Sequence, residues 1–171
     1  MQVRLAGAGE ISVLQDVESD ASELFESMAE FAFVLDYPAR DVDEYEAIVR
    51  GGGALVADTA SGIAGLILMG VVDGQGHILE LSVRTKYQRQ GVGRRLIEAG
   101  CQWARDRGFV EVTLTTFRDA PWNAPAYAGM GFETILPDHQ HPELARILEN
   151  ERSIGLFRAK RVAMRRLVSR G

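Results

Sequence analysis

The chain has 171 residues, 46% of them hydrophobic and 25% charged, which suits one globular domain, residues 1–171, with a real core. A net charge of −5 and a pI of about 5.3 argue against general nucleic-acid binding. Cys101 is the single cysteine, so an internal disulfide and a cysteine-based metal site are excluded, and it reads as a small buried apolar residue. No basic region precedes an apolar stretch at the start and no run approaches membrane-spanning length, so the expectation is a cytoplasmic protein without a membrane partner.

Residues 2 to 6 read as a strand with Val3 and Leu5 on one face, followed by a loop through Gly7, Gly9 and Ser12. A helix is predicted over residues 20–35, where Leu24, Met28, Phe31 and Leu35 recur at helical spacing behind a cap at Ser19 or Asp20. After Pro38 a second helix fits residues 41–50, with Val42, Tyr45 and Val49 on one side. Phe25, Phe31, Phe33, Tyr37 and Tyr45 crowd this region and read mainly as core. Gly51, Gly52 and Gly53 read as a linker into strands at 54–58 and 63–72, with turns at 60–62 and 73–76, an antiparallel meander.

The next strand carries Ile78, Leu79, Leu81 and Val83. Gln88-Arg89-Gln90-Gly91-Val92-Gly93 follows, and from Val92 apolar residues recur at Leu96, Ala99 and Trp103 up to a stop at Gly108. Strand, glycine turn and helix N-terminus form an arrangement that binds phosphate through backbone N–H groups. Arg84, Lys86, Arg89, Arg94 and Arg95 surround the turn, with no acid between Val83 and Glu98, and a diphosphate accounts for that local excess. A dinucleotide fingerprint would need glycine where Leu96 stands, and a kinase-type loop would need Gly-Lys-Ser/Thr. The run resembles motif A of the GCN5-related N-acetyltransferase (GNAT) superfamily, Gln/Arg-x-x-Gly-x-Gly/Ala between strand and helix. The resemblance implies that Gln88, Arg89, Gln90, Gly91, Val92, Gly93 and Arg94 hold the pyrophosphate of acetyl-coenzyme A. It also implies that the backbone of Leu81, Ser82 and Val83 receives the pantetheine arm between two splayed parallel strands.

Residues 109–117 alternate as a strand, with Val110, Val112 and Leu114 on one face; strand, helix and strand then form a parallel crossover. Next, Trp122-Asn123-Ala124-Pro125-Ala126-Tyr127 reads as a short helix with Asn123 at its cap and Pro125 in its first turn; Gly131 ends it and a strand resumes over 132–136. An Asn, a Tyr and a Gly-Phe pair after the Tyr again resemble the family. Tyr127 is thereby implied as the acid that protonates the departing thiolate, and Asn123 as a pantetheine contact, although four residues from Asn to Tyr is shorter than the commonest family spacing. A tyrosine near pKa 10 suits a thiol near 8.5.

Attack by an amine also needs a base. Glu80 is the one acid of its strand and is preferred; His77, three residues away on the opposite face unless a bulge intervenes, and water remain open. His77 at the strand's start reads as a surface hairpin residue. The tail contains a helix over 142–153 and a strand over 161–168, in which Val162, Met164 and Leu167 read as packing residues. The basic residues Arg158, Lys160, Arg161, Arg165, Arg166 and Arg170 read as solvated charges rather than a nucleic-acid arm. His139 and His141 lack carboxylates at ligand spacing, so no metal site is expected. The resemblance covers about residues 54 to 136.

Together these readings give an α/β fold of mixed sheet, an antiparallel meander followed by a β-α-β unit. The function expected is an enzyme, an acyltransferase moving acetyl from acetyl-coenzyme A to a small-molecule or protein amine by direct attack in a ternary complex, as a monomer or homodimer. The alternative is a non-catalytic acyl-coenzyme A sensor or partner subunit of the same fold. The acceptor cannot be read from the residues.

Overall fold

Short apolar runs, alternating in some and continuous in β3, build seven strands, and helical stripes build five helices among the described residues. The strands are β1 (Gln2–Leu5), β2 (Ala54–Thr59), β3 (Gly62–Val72), β4 (Gln75–Val83), β5 (Glu111–Phe117), β6 (Glu133–Ile135) and β7 (Arg161–Leu167). The helices are α1 (Ile11–Ser22), α2 (Val42–Arg50), α3 (Val92–Asp106), α4 (Ala124–Ala128) and α5 (Pro142–Ser153). The structure, a computed structural model, describes residues 1–36, 40–154 and 159–168. Tyr37, Pro38, Arg158 and Arg170, which the sequence reading used, lie outside the described residues. Strand order is β1-β2-β3-β4-β5-β7-β6, a mixed sheet. The chain divides into two compact units, Met1–Gly70 with Leu79–Trp103, and Val71–Ile78 with Ala104–Gly171, and β3 and β4 run through both.

In the first unit β1 pairs antiparallel with β2, and β2 with β3. Ile11, Leu14 and Val17 of α1 and Tyr45 of α2 pack with Val56, Leu66 and Leu68 in one buried cluster. The helix predicted over 20–35 is displaced: α1 covers residues read as a loop, and short 3-10 turns follow over Glu23–Ser27 and Ala32–Asp36. The early start has a local cause just ahead of the helix. Arg4 holds both oxygens of Glu10 at 2.8 and 2.9 Å, and Glu10 in turn accepts from the Gly7 N–H at 2.7 Å, which fixes the turn entering α1. At the other end, Ser22 Oγ bonds back to Ser19 O at 2.7 Å, a local bond that competes with helix propagation. The α2 prediction holds, with the Asp41 side chain accepting from Glu44 N at 2.8 Å as an N-cap.

The triple glycine is more than a linker. Gly51 terminates α2, and a Cβ on Gly53 would lie 2.3 Å from Met69 O, so only glycine lets the chain approach β3 that closely. The β3–β4 connection is Asp73-Gly74, with φ of 50° and 70°; two left-handed residues make the turn whose twist matches an antiparallel hairpin.

In the second unit β4 and β5 are parallel neighbours, their ladder comprising Gly76↔Val112 and His77↔Thr113. β7 pairs antiparallel with both β5 and β6, so it inserts between two earlier strands. Val110 precedes β5 and is 62% exposed rather than sharing the buried face of Val112 and Leu114. Leu167 is exposed too: it stands three residues from Met164, and strand alternation turns the two to opposite faces. Asp73 serves α5, its carboxylate accepting from the N–H groups of Glu143 and Leu144 at 3.0 and 2.9 Å. The tail's charges are partly paired rather than simply solvated. Arg161 bonds Glu151 at 2.6 Å and stacks 4.6 Å from the Phe117 ring centroid, and Arg165 bonds Glu133 at 2.9 Å.

Candidate active site

The predicted phosphate turn lies in the first unit. After β4 come Arg84, a 3-10 turn over Thr85–Tyr87, and the segment 88–91, which opens into α3. The glutamines tie the loop to itself: Gln88 Nε2 donates to Val83 O at 3.3 Å and Gln90 Nε2 to Lys86 O at 2.8 Å. Arg89 and Gly91 both take left-handed backbone, with φ of 57° and 78°. For arginine that conformation is uncommon and marks a held loop. Gly91 O accepts from Arg95 N at 3.1 Å, so α3 begins there, and the N–H groups of Val92 and Gly93 belong to its first turn, where helix geometry supplies no intrahelical acceptor. A 15-residue helix presents the positive end of its dipole at that point, a setting that favours an anion.

The two glycines differ. Gly91 needs its positive φ, whereas a Cβ on Gly93 would meet Val83 Cγ2 at 3.8 Å and Leu81 Cδ2 at 4.0 Å, ordinary contacts that the fold would tolerate. Packing therefore does not explain glycine at 93. The five cations differ as well. Arg84 is committed to the fold, its guanidinium bonded to Ile63 O at 3.1 Å and to Asp20 Oδ2 at 3.2 Å. Burial pushes the Asp20 carboxyl up, but donation from Thr85 N, from Arg84 and from the Thr85 hydroxyl outweighs it and holds Asp20 below the usual range. Lys86 lies 4.9 Å from the Tyr87 ring centroid. Arg89, Arg94 and Arg95 are exposed around the turn.

Of the residues expected from sequence to receive the pantetheine arm, Leu81 and Val83 are half-buried, while Ser82 is buried and its hydroxyl donates to Glu80 Oε1 at 2.7 Å. Burial raises the Glu80 carboxyl above its ordinary range, and the neighbouring Glu18 charge raises it further; the Ser82 bond and Arg40 oppose them. Glu18 and Arg40 were absent from the sequence reading. A pattern signal existed for Glu18, an acid continuing the Ile11–Leu14 stripe.

His77 falls in the second unit and is not a surface residue. It is 3% exposed, with ring Nδ1 at 2.8 Å from Thr113 Oγ1, and burial pulls its pKa down to about 4. It is a neutral core imidazole, poorly matched to base work near neutral pH. Tyr127 and Asn123 also belong to the second unit. Asn123 occupies the position before α4, but its side chain makes no capping bond, contrary to expectation. Its carbonyl accepts from Tyr127 N at 2.9 Å, and Tyr127 O accepts from Phe132 N at 3.1 Å. The half-buried Tyr127 ring meets Phe132 edge-on, with centroids 5.7 Å apart. The Gly-Phe pair thus fixes the tyrosine's position. Among the described residues no three potential metal ligands cluster, and no helix is long and apolar enough to cross a membrane.

A mixed sheet with a strand, a glycine turn and a long helix at its centre defines a coenzyme A-type acyltransferase fold, and the chain belongs to the acetyltransferase (GNAT) family, whose model matches residues 15–132. That match takes in most of α1 and all of α2, ahead of the motifs read from sequence. The chain is similar to N-acetyltransferase 8 of Rattus norvegicus, at 31% identity over 90 residues covering 49% of this chain and 40% of that protein. The chain therefore spans less than half the length of such relatives. In fold it resembles N-acetylglutamate synthase from Neisseria gonorrhoeae in complex with coenzyme A and N-acetyl-glutamate, with TM-score 0.74 and 20% identity over 99% of this chain and 35% of that one. It also resembles the PaiA N-acetyltransferase from Thermoplasma acidophilum in complex with coenzyme A, with TM-score 0.69 and 13% identity over 97% of this chain and 98% of that one.

Proposed function

We propose that this protein transfers the acetyl group of acetyl-coenzyme A to an amine by direct attack in a ternary complex. The observation that carries the reading is the turn at 88–93. Left-handed Arg89 and Gly91 lead into the first turn of α3, and glycine stands at 93 where the fold has room for a side chain. Family membership and the coenzyme A named with two similar structures support it.

In the proposed reaction the amine nitrogen bonds to the acetyl carbonyl carbon, the carbon–sulfur bond breaks, and sulfur leaves with the bonding pair. Backbone N–H groups of Val92 and Gly93, with Arg89 and Arg94, hold the diphosphate. The backbone of Leu81, Ser82 and Val83 and the side chain of Asn123 hold the pantetheine arm. Glu80 takes the proton the amine loses, consistent with its raised pKa. Tyr127 gives the thiolate its proton, its ring held by Phe132. The similar proteins are named for acceptors as different as glutamate and an aminoglycoside, and the class they share is an amine.

Acetyl-coenzyme A should raise the melting temperature by mass action, and an amine panel should contain acceptors that release coenzyme A. No thermal shift at millimolar coenzyme would refute the cofactor. A shift without turnover on any amine would favour the sensor.

A further inference from the structure

Asp20 stands against the local preference of its helix. The sequence suits it to a cap at a helix start, yet it lies in the last turn of α1, where the carbonyl end of the dipole disfavours an anion. Aspartate is also a weak helix former. A local rule broken without local gain points to a role elsewhere in the structure. That role lies at the glycine turn. Asp20 Oδ1 accepts from the Thr85 N–H at 2.7 Å, and its main-chain oxygen accepts from the Thr85 hydroxyl at 3.2 Å. Its Oδ2 accepts from Arg84 Nη1 at 3.2 Å.

Thr85 is the root of the loop that leads to α3. It opens the 3-10 turn Thr85–Tyr87, and the first N–H of such a turn has no acceptor within it. Arg84 precedes it in extended backbone, with φ of −52° and ψ of 140°, and supplies no side-chain cap. Asp20 therefore caps the turn from another element, 65 residues away. From Thr85 onward the loop is tied to its own neighbours. Tyr87 N donates to Arg84 O at 2.8 Å, Gln88 N to Thr85 O at 3.3 Å, and Gln90 Nε2 to Lys86 O at 2.8 Å. These bonds carry the position of Thr85 along to Arg89, whose left-handed backbone persists only when its surroundings hold it.

We infer that Asp20 is a positioning residue for coenzyme binding: by accepting the Thr85 N–H from the last turn of α1, it holds the 88–93 turn in the arrangement that receives the diphosphate. This rests on the reading of that turn as the diphosphate site. Asp20 acts through Thr85 rather than on the coenzyme. A turn that spends part of its time in another arrangement binds more weakly in proportion to the lost fraction. Linkage makes the effect reciprocal, so bound coenzyme tightens the bond between Asp20 and Thr85.

The test is a calorimetric titration of the full chain with coenzyme A, on the parent, D20A and D20N. Both variants lose the charge facing Arg84. D20N keeps an amide oxygen for the Thr85 N–H, whereas D20A removes the acceptor. D20A should bind coenzyme A about fivefold or more weakly, while D20N stays close to the parent. Amide hydrogen exchange supplies a readout that lost packing does not move. Coenzyme A should slow exchange of the parent's Thr85 N–H about fivefold or more. The Gly7 N–H, which donates to Glu10 Oε2 at the same 2.7 Å, should keep its rate. Thermal melts establish that the variants fold; if D20A does not, the exchange comparison decides. Parental affinity in folded D20A, equal losses in D20A and D20N, or an unmoved Thr85 amide overturns the inference, as does equal protection of Gly7. If the parent itself does not bind coenzyme A, the reading of the turn fails and this inference with it. If the parent binds and the Thr85 amide is unmoved, only the role of Asp20 falls.

Discussion

Protonating the buried imidazole of His77 should destabilise the second unit in a defined pH window. The ring is 3% exposed, bonds Thr113, and has its pKa pulled from 6.5 to about 4, chiefly by desolvation and against the opposing charge of Asp73. As pH falls, the unfolded chain binds a proton at His77 near 6.5 while the folded chain resists until about 4. Stability conferred by the neutral ring is therefore present above 6.5 and is lost as pH falls from 6.5 towards about 4. The linkage relation puts the loss at about 2 kcal/mol by pH 5 and about 3 kcal/mol near pH 4. Urea denaturation at pH 7.5 and pH 5, on the parent and on His77→Gln, isolates this term, because other titrating groups cancel in the difference between the two proteins. Gln keeps a polar atom for Thr113 and does not titrate. The variant should be less stable at pH 7.5 yet lose about 2 kcal/mol less than the parent on acidification. Equal losses in both proteins would refute the assignment of His77 as a buried neutral group.

Gly93→Asp should fold with near-parental stability, since a Cβ there meets only ordinary contacts, yet lose coenzyme A binding by at least about tenfold in calorimetry because it sets a negative charge at the helix N-terminus. Parental affinity would place the phosphates elsewhere. Arg84→Ala and Arg89→Ala should separate fold from ligand. The first should lower stability by about 1–2 kcal/mol through its lost bonds to Ile63 O and Asp20 with little change in coenzyme affinity, and the second should weaken binding by about 1–3 kcal/mol; reversed effects would contradict the division of cations. Tyr127→Phe keeps the ring against Phe132 and removes the proton. Its turnover should fall by roughly ten- to a thousand-fold with coenzyme affinity kept, and the deficit should shrink as pH rises past the thiol pKa; parental turnover would leave the thiolate's proton to water.

Local chemistry alone determined much of this protein. The cap at Asp41, the stripe of α3 from Val92 and the bounds of α5 are set by residues within a few positions of one another, so their pattern survives in one dimension. The glycine turn entering α3 was legible because its residues are contiguous. What required tertiary structure is long-range. The commitment of Arg84 to the fold rather than to the glycine turn depends on Asp20, 64 residues away. The burial of His77 depends on Thr113 across a strand pair, and the tail strand's place between β5 and β6 depends on hydrogen bonds its sequence does not specify. Charge is the hardest property to read from sequence. Whether Glu80 is an ordinary acid or a raised one is decided by burial and by Glu18 on another element, and Coulomb interactions follow distance in space rather than separation along the chain.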